Sequence, residues 1–154
     1  MSESRRGARG WRPDVLRKLR LTHGLSLEEV AAGIGAGVGT LYRWEQGINS
    51  PYPRSLQSLA SYFNVSTWDF VDISPNRSEL ADLRLHAGLS QADIGVAFES
   101  AGIPRQSYGK LERGVLEPTP EQVRMLVKLL QQSEEIVRAA IVRSQYRKET
   151  KDFR

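Results

Sequence analysis

The sequence repeats itself. Leu19-Arg20-Leu21-Thr22-His23-Gly24-Leu25-Ser26 returns as Leu83-Arg84-Leu85-His86-Ala87-Gly88-Leu89-Ser90, 64 residues further on. Glu45-Gln46-Gly47 returns as Glu112-Arg113-Gly114 and Pro51 as Pro118, now with an offset of 67. The second copy therefore carries three extra residues between Ser90 and Glu112. Self-similarity of this kind means that one supersecondary unit is built twice. A chain of 154 residues has room for two very small domains. A unit of about 60 residues folds alone only if it is helical and well packed.

The punctuation of both copies is helical. Pro13 followed by Asp14 suits a helix start, and Gly24 suits its end. Ser26-Leu27-Glu28-Glu29 is a capping box, in which the Ser26 hydroxyl takes the Glu29 amide and the Glu29 carboxylate reaches back. Ser90-Gln91-Ala92-Asp93 repeats it with a shorter acid, and Thr119-Pro120-Glu121-Gln122 is a third box with proline at the first helical position. Val123, Leu126, Val127 and Leu130 follow at helical spacing, and Ile136, Val137, Ala140 and Ile141 mark one more helix after Ser133. Nothing alternates with period two long enough to be a strand. The expected fold is all-α: a basic arm over 1–12, a first domain over 13–73, a linker over 74–78, a second domain over 79–132, and a C-terminal helix and basic tail over 133–154. The stretch 71–78 spans at most roughly 25 Å, so the two domains are tethered closely.

Composition removes several function classes. The chain has no cysteine, which excludes disulfides, thiolate zinc sites and cysteine nucleophiles. No run approaches 18 apolar residues, and the basic start lacks an apolar core, so neither a membrane span nor a secretory signal is expected and the cytoplasm is the expected compartment. His23 and His86 are the only histidines, each just before a glycine turn, and both read as surface caps at negative helix ends. No paired carboxylates or nucleophile–base pair stand out, so no enzyme, metal or cofactor is expected. The glycines of 33–39 superficially suggest a nucleotide loop, but the segment follows a helix and has no lysine. Each glycine inside a helix costs about 1 kcal/mol relative to alanine, which predicts a helix frayed until a ligand or partner orders it.

Charge is unevenly placed. Residues 1–20 carry a net +5 and residues 143–154 a net +3, against +4 for the whole chain, so the body is mildly acidic at −4. Basic ends around such a body suit a chain whose tails grip phosphate while its core places a few chosen side chains.

Each copy thus reads as helix, glycine turn, capped helix, tight turn and a further helix ending in Glu-x-Gly before a proline. With Leu56-x-x-Leu59-Ala60 downstream, this frame resembles the Cro/CI-type, or XRE, helix-turn-helix family over 16–71, and most of it recurs over 80–130. The resemblance implies two tandem lambda-repressor-like bundles that bind double-stranded DNA. It places recognition helices near 37–46 and 104–113, base-reading residues at Val38, Gly39 and Arg43 in the first copy, and at Arg105, Gln106 and Lys110 in the second. Arginine and lysine suit guanine and glutamine suits adenine, whereas Val38 suits a thymine methyl. Phosphate contacts fall to Gln46, Gln91 and Arg113, and an arm of Arg5, Arg6 and Arg9 follows the backbone or a minor groove. Leu27 departs from the family's usual phosphate-contacting glutamine. Arg20 with Glu45, and Arg84 with Glu112, correspond to the family's internal ion pairs. Leu41, Trp44, Tyr108 and Leu111 are expected in the core, and Tyr52, Tyr62, Phe63, Trp68 and Phe70 packed among the first domain's last helices. Trp11 either joins them or docks the arm.

The expected function is a sequence-specific transcription regulator, a repressor similar to the two-domain immunity repressors of temperate actinobacterial phages. A monomer is expected to read an asymmetric operator with two unlike helices, without a small-molecule ligand. The alternative is a protein-interaction module, such as an antitoxin or anti-regulator, suggested by the lack of polar readers at Val38 and Gly39.

Overall fold

The computed structural model describes residues 7–152. Among the described residues there are nine α-helices, two short 3-10 turns and no strand, only an isolated bridge between Trp11 and Val71. The chain divides into two compact units between Ile73 and Ser74. Among the described residues no helix is long and apolar enough to cross a membrane.

The first unit contains α1 (Pro13–Thr22), α2 (Leu27–Ile34), α3 (Val38–Glu45) and α4 (Pro53–Phe63), followed by a 3-10 turn at Thr67–Phe70. Ser26 closes its capping box on Glu29, at 3.1 Å and 3.2 Å. α2 packs against α3 and α4, α1 against α3, and the 3-10 turn against α1 and α4. Leu16, Val30, Leu41, Leu56, Leu59 and Phe70 fill the interior. Trp11 stacks on Phe70 with ring centres 5.7 Å apart and donates its indole N–H to the Trp44 carbonyl at 2.9 Å, so it docks the arm. α3 forms despite its glycine-rich approach. Gly35 takes the left-handed conformation that ends α2 (φ 68°) and Gly37 caps α3, leaving only Gly39 inside α3 itself. The expected penalty is therefore confined to one residue of that helix. Tyr52, expected in the packing, is 51% exposed at the start of α4.

The second unit contains a 3-10 turn at Pro75–Arg77, then α5 (Leu80–His86), α6 (Gln91–Ser100), α7 (Ser107–Glu112), α8 (Pro120–Leu130) and α9 (Glu134–Asp152). The capping boxes at Ser90 and Thr119 are both closed. Residues 74–78 are tied down: the Ser78 hydroxyl donates to the Ser74 carbonyl at 2.8 Å, and Arg143 donates to the Ser78 carbonyl at 3.3 Å. Gln131 turns left-handed (φ 54°), so α8 ends there and α9 starts afresh from a Ser133 cap. α9 packs on α5, α7 and α8, with Val137, Ala140, Ile141 and Ser144 buried.

The three extra residues lie between the cap of α6 and the bond that closes its end, two of them in the helix itself and one in the turn after it. Its cap matches Ser26 at an offset of 64, yet the bond that closes its end, Ile103 N–H to the Phe98 carbonyl, matches Ala36 to Ala31 at an offset of 67. α6 accordingly runs for 10 residues against 8 in α2.

Candidate nucleic-acid interface

In the first unit, α3 is fixed from behind. Leu41 and Trp44 are buried, and Arg20 on α1 binds both carboxylate oxygens of Glu45 through Nε at 3.1 Å while its Nη1 holds the Leu25 carbonyl at 3.0 Å. The buried side chains leave Val38, Gly39, Tyr42, Arg43 and Gln46 on the outward side, all exposed. The Arg43 guanidinium leans on the Thr40 hydroxyl at 3.4 Å.

The second unit repeats the arrangement more deeply. Arg84 and Glu112 form a two-pronged pair at 3.0 Å and 3.1 Å, with side chains 7% and 1% exposed, and Arg84 Nη1 holds the Leu89 carbonyl at 3.0 Å. Burial acts to lower the Arg84 pKa, but hydrogen bonding and charge from Glu112 outweigh it, and the net direction is upward. Tyr108 and Leu111 are buried beneath α7, while Gln106, Lys110 and Arg113 are exposed.

The residues expected to act on DNA fall in different places. The expected helix over 104–113 is shorter: residues 104–107 make a single tighter turn, closed by Ser107 N–H on the Pro104 carbonyl at 3.0 Å, and α7 begins at Ser107. Gln106 is its N-cap and Arg113 its C-cap. Arg105 thus lies ahead of the helix, where its guanidinium pairs with Glu99 at 2.8 Å. Its stem lies over Gly95, where a Cβ would come within 2.7 Å of Arg105 Cγ. Gln91 is the half-buried first residue of α6, Gln46 is the exposed C-cap of α3, and Arg9 is exposed in the arm. Arg5 and Arg6 lie outside the described residues.

Two features escape a linear reading. Glu99 holds Arg105 across a turn, a pairing with no periodic signature. Arg147 on α9 donates to the Glu112 carbonyl at 3.1 Å and pairs with Glu79 at 2.8 Å, so it satisfies one of the unpaired carbonyls at the end of α7. The histidines also diverge. His23 is exposed, with Nδ1 2.8 Å from the Leu19 carbonyl at the end of α1. His86 is not the expected surface cap: it is 7% exposed, and burial pushes its pKa down to about 4 against an upward pull from Asp82. Desolvation of the charged ring outweighs any benefit at the helix end.

Two helix-turn-helix units, each with an Arg–Glu pair behind an exposed helix, part-buried in the first and buried in the second, define the class. The helix-turn-helix family matches residues 16–67 and 80–137, and the chain belongs to that family, of the XRE type. The chain is also similar to the cryptic phage CTXphi transcriptional repressor RstR of Vibrio cholerae, with 37% identity over 59 residues, covering 38% of this chain and 53% of that protein. It thus spans about half the length of the curated relative it matches. No solved structure matches the chain.

Proposed function

We propose that the chain is a sequence-specific regulator of transcription, a repressor, that places α3 and α7 in the major groove of double-stranded DNA. The observation that carries this is the pair of helices held from behind by Arg20–Glu45 and Arg84–Glu112, with unburied side chains on their outer sides. A helix mounted in this way fits a groove about 12 Å wide. The relative named a transcriptional repressor supports the direction of regulation.

Gln106 and Lys110 are the second unit's base readers, because both are exposed at the front of α7. Arg113, Gln91 and Gln46 contact phosphate, as does the arm with Arg5, Arg6 and Arg9. Arg105 joins base reading only after leaving Glu99. The two reading surfaces differ, so one chain reads an asymmetric operator as a monomer, in the cytoplasm and without a small-molecule effector. Exposure of Val38 and Tyr42 favours a second reading, in which α3 binds a protein.

Selection of bound duplexes from a random pool, with a salt titration of the winners, tests the proposal. Affinity should fall steeply with salt as counterions return to the phosphates. Lys110→Ala should lower affinity by about 1–3 kcal/mol and relax preference at one base pair. No enrichment of any duplex would overturn the proposal.

A further inference from the structure

α3 is weakly made at its start. Gly37 caps it without a side-chain bond, and Gly39 lies in its first turn. A glycine inside a helix weakens it relative to alanine. Two side chains hold the other end. Arg20 grips Glu45, and the Trp11 indole N–H donates to the Trp44 carbonyl at 2.9 Å, beside the Gly47 N–H at 3.2 Å. Trp11 lies outside the stretch 16–67 that matches the helix-turn-helix family. The segment that carries it is tied down along its length. The Ala8 N–H donates to the Pro51 carbonyl at 3.2 Å, the Asp72 N–H to the Gly10 carbonyl at 2.7 Å, and the Arg12 N–H to the Phe70 carbonyl at 2.8 Å. It therefore runs from the loop after α3 to the last turn of the unit. Its small residues permit close approach. A Cβ on Gly7 would collide with Ser50, Ala8 is buried, and Gly10 is left-handed (φ 74°) against the Asp72 backbone. None of these contacts uses charge, so a grip on phosphate does not explain them.

The second unit reaches the same result with a different part of the chain. Arg147 on α9, outside the matched stretch 80–137, donates to the Glu112 carbonyl at the end of α7. Two unrelated segments thus brace the same end of two equivalent helices. We propose that residues 7–12 form a strap that positions α3 on DNA, with Trp11 as the positioning residue. A binding constellation works only when held within about 0.5 Å of its productive geometry, and α3 has no comparable anchor at its glycine-rich start. The strap acts through packing and hydrogen bonds, a role separate from that of the arginine charges of the arm. This inference rests on the DNA-binding proposal above.

The test uses the full chain and compares Trp11→Phe with Arg9→Ala. Phenylalanine keeps a ring to stack on Phe70 but has no N–H to donate. In the free protein, Trp11→Phe should speed amide exchange at Gln46, Gly47 and Ile48 about two- to tenfold, the worth of one hydrogen bond. On a duplex selected from a random pool, it should narrow the base preference at the positions that Arg43→Ala relaxes. The position that Lys110→Ala relaxes should keep its preference, and the salt dependence should not change, because no charge is lost. Arg9→Ala should do the reverse, flattening the salt slope and leaving every preference intact. Gly10→Ala, which strains the strap without touching the indole, should reproduce the Trp11→Phe pattern. Unchanged exchange in Trp11→Phe, or a uniform loss of affinity with all preferences kept, overturns the strap as a positioning element and leaves DNA binding standing. Failure to enrich any duplex defeats the DNA-binding reading and the strap's role on DNA with it, while faster exchange would still show that the strap orders α3.

Discussion

Replacing Arg84 by methionine isolates what holds α7 in place. The change keeps an unbranched apolar stem but removes both contacts to Glu112, at 3.0 Å and 3.1 Å, and the 3.0 Å bond to the Leu89 carbonyl. Glu112, with its side chain 1% exposed, is left as a buried charge without its ion-pair partner. Breaking a buried pair from one side costs about 3–5 kcal/mol. A unit of this size has roughly 5–10 kcal/mol to lose, so Arg84→Met removes much of its stability. Arg84→Met combined with Glu112→Leu should regain most of the loss, because an apolar pair of similar volume often equals a buried ion pair. Urea unfolding followed by far-ultraviolet circular dichroism measures the effect. All three tryptophans, Trp11, Trp44 and Trp68, belong to the first unit, so tryptophan fluorescence serves as an internal control that should not shift. A single-variant loss under 1 kcal/mol, or a double variant no better than the single, would refute the reasoning.

Three further outcomes follow from the packing. His86 has a folded pKa of about 4, below its ordinary 6.5, so its contribution to stability is full above pH 6.5 and is lost as pH falls toward 4. The second unit should lose about 2 kcal/mol between pH 7 and pH 5 by urea unfolding, and His86→Gln should flatten that slope. Gly24 and Gly114 are both left-handed, at φ 66° and 73°, but a Cβ on Gly24 meets nothing within 4 Å whereas one on Gly114 comes within 2.5 Å of the Ser144 carbonyl oxygen. Gly24→Ala should therefore lower stability by about 1–2 kcal/mol and Gly114→Ala by clearly more, as read from urea midpoints. Arg147→Ala removes a half-buried ion pair and the bond to the Glu112 carbonyl, so it should destabilise the second unit by about 1 kcal/mol and speed amide exchange at Arg113 and Gly114. Unchanged exchange there would show that α9 does not brace the end of α7.

The all-α architecture and the capping boxes at Ser26, Ser90 and Thr119 were legible in the amino-acid sequence, because each rests on groups three or four residues apart along the chain. The burial of Leu41, Trp44, Tyr108 and Leu111 was legible for the same reason, since helical periodicity sets which side of α3 and α7 turns inward. The start of α7 was not, because the turn after Pro104 closes three residues on and takes Arg105 out of the helix.

By itself the sequence determined that two similar helical units are made and where most of their helices begin. Only tertiary structure decided which charges are engaged: Arg105 is held by Glu99, and Arg147 reaches the end of α7 from a helix far along the chain. It also decided that His86 is buried while Thr22, which holds its place in the first copy, stays exposed, and that two of the three extra residues lengthen α6. The physical reason is one of range. Caps and turns depend on neighbours along the chain, whereas desolvation and ion pairing depend on which surfaces meet in space, and near-identical segments acquire different environments once α9 covers one of the two units.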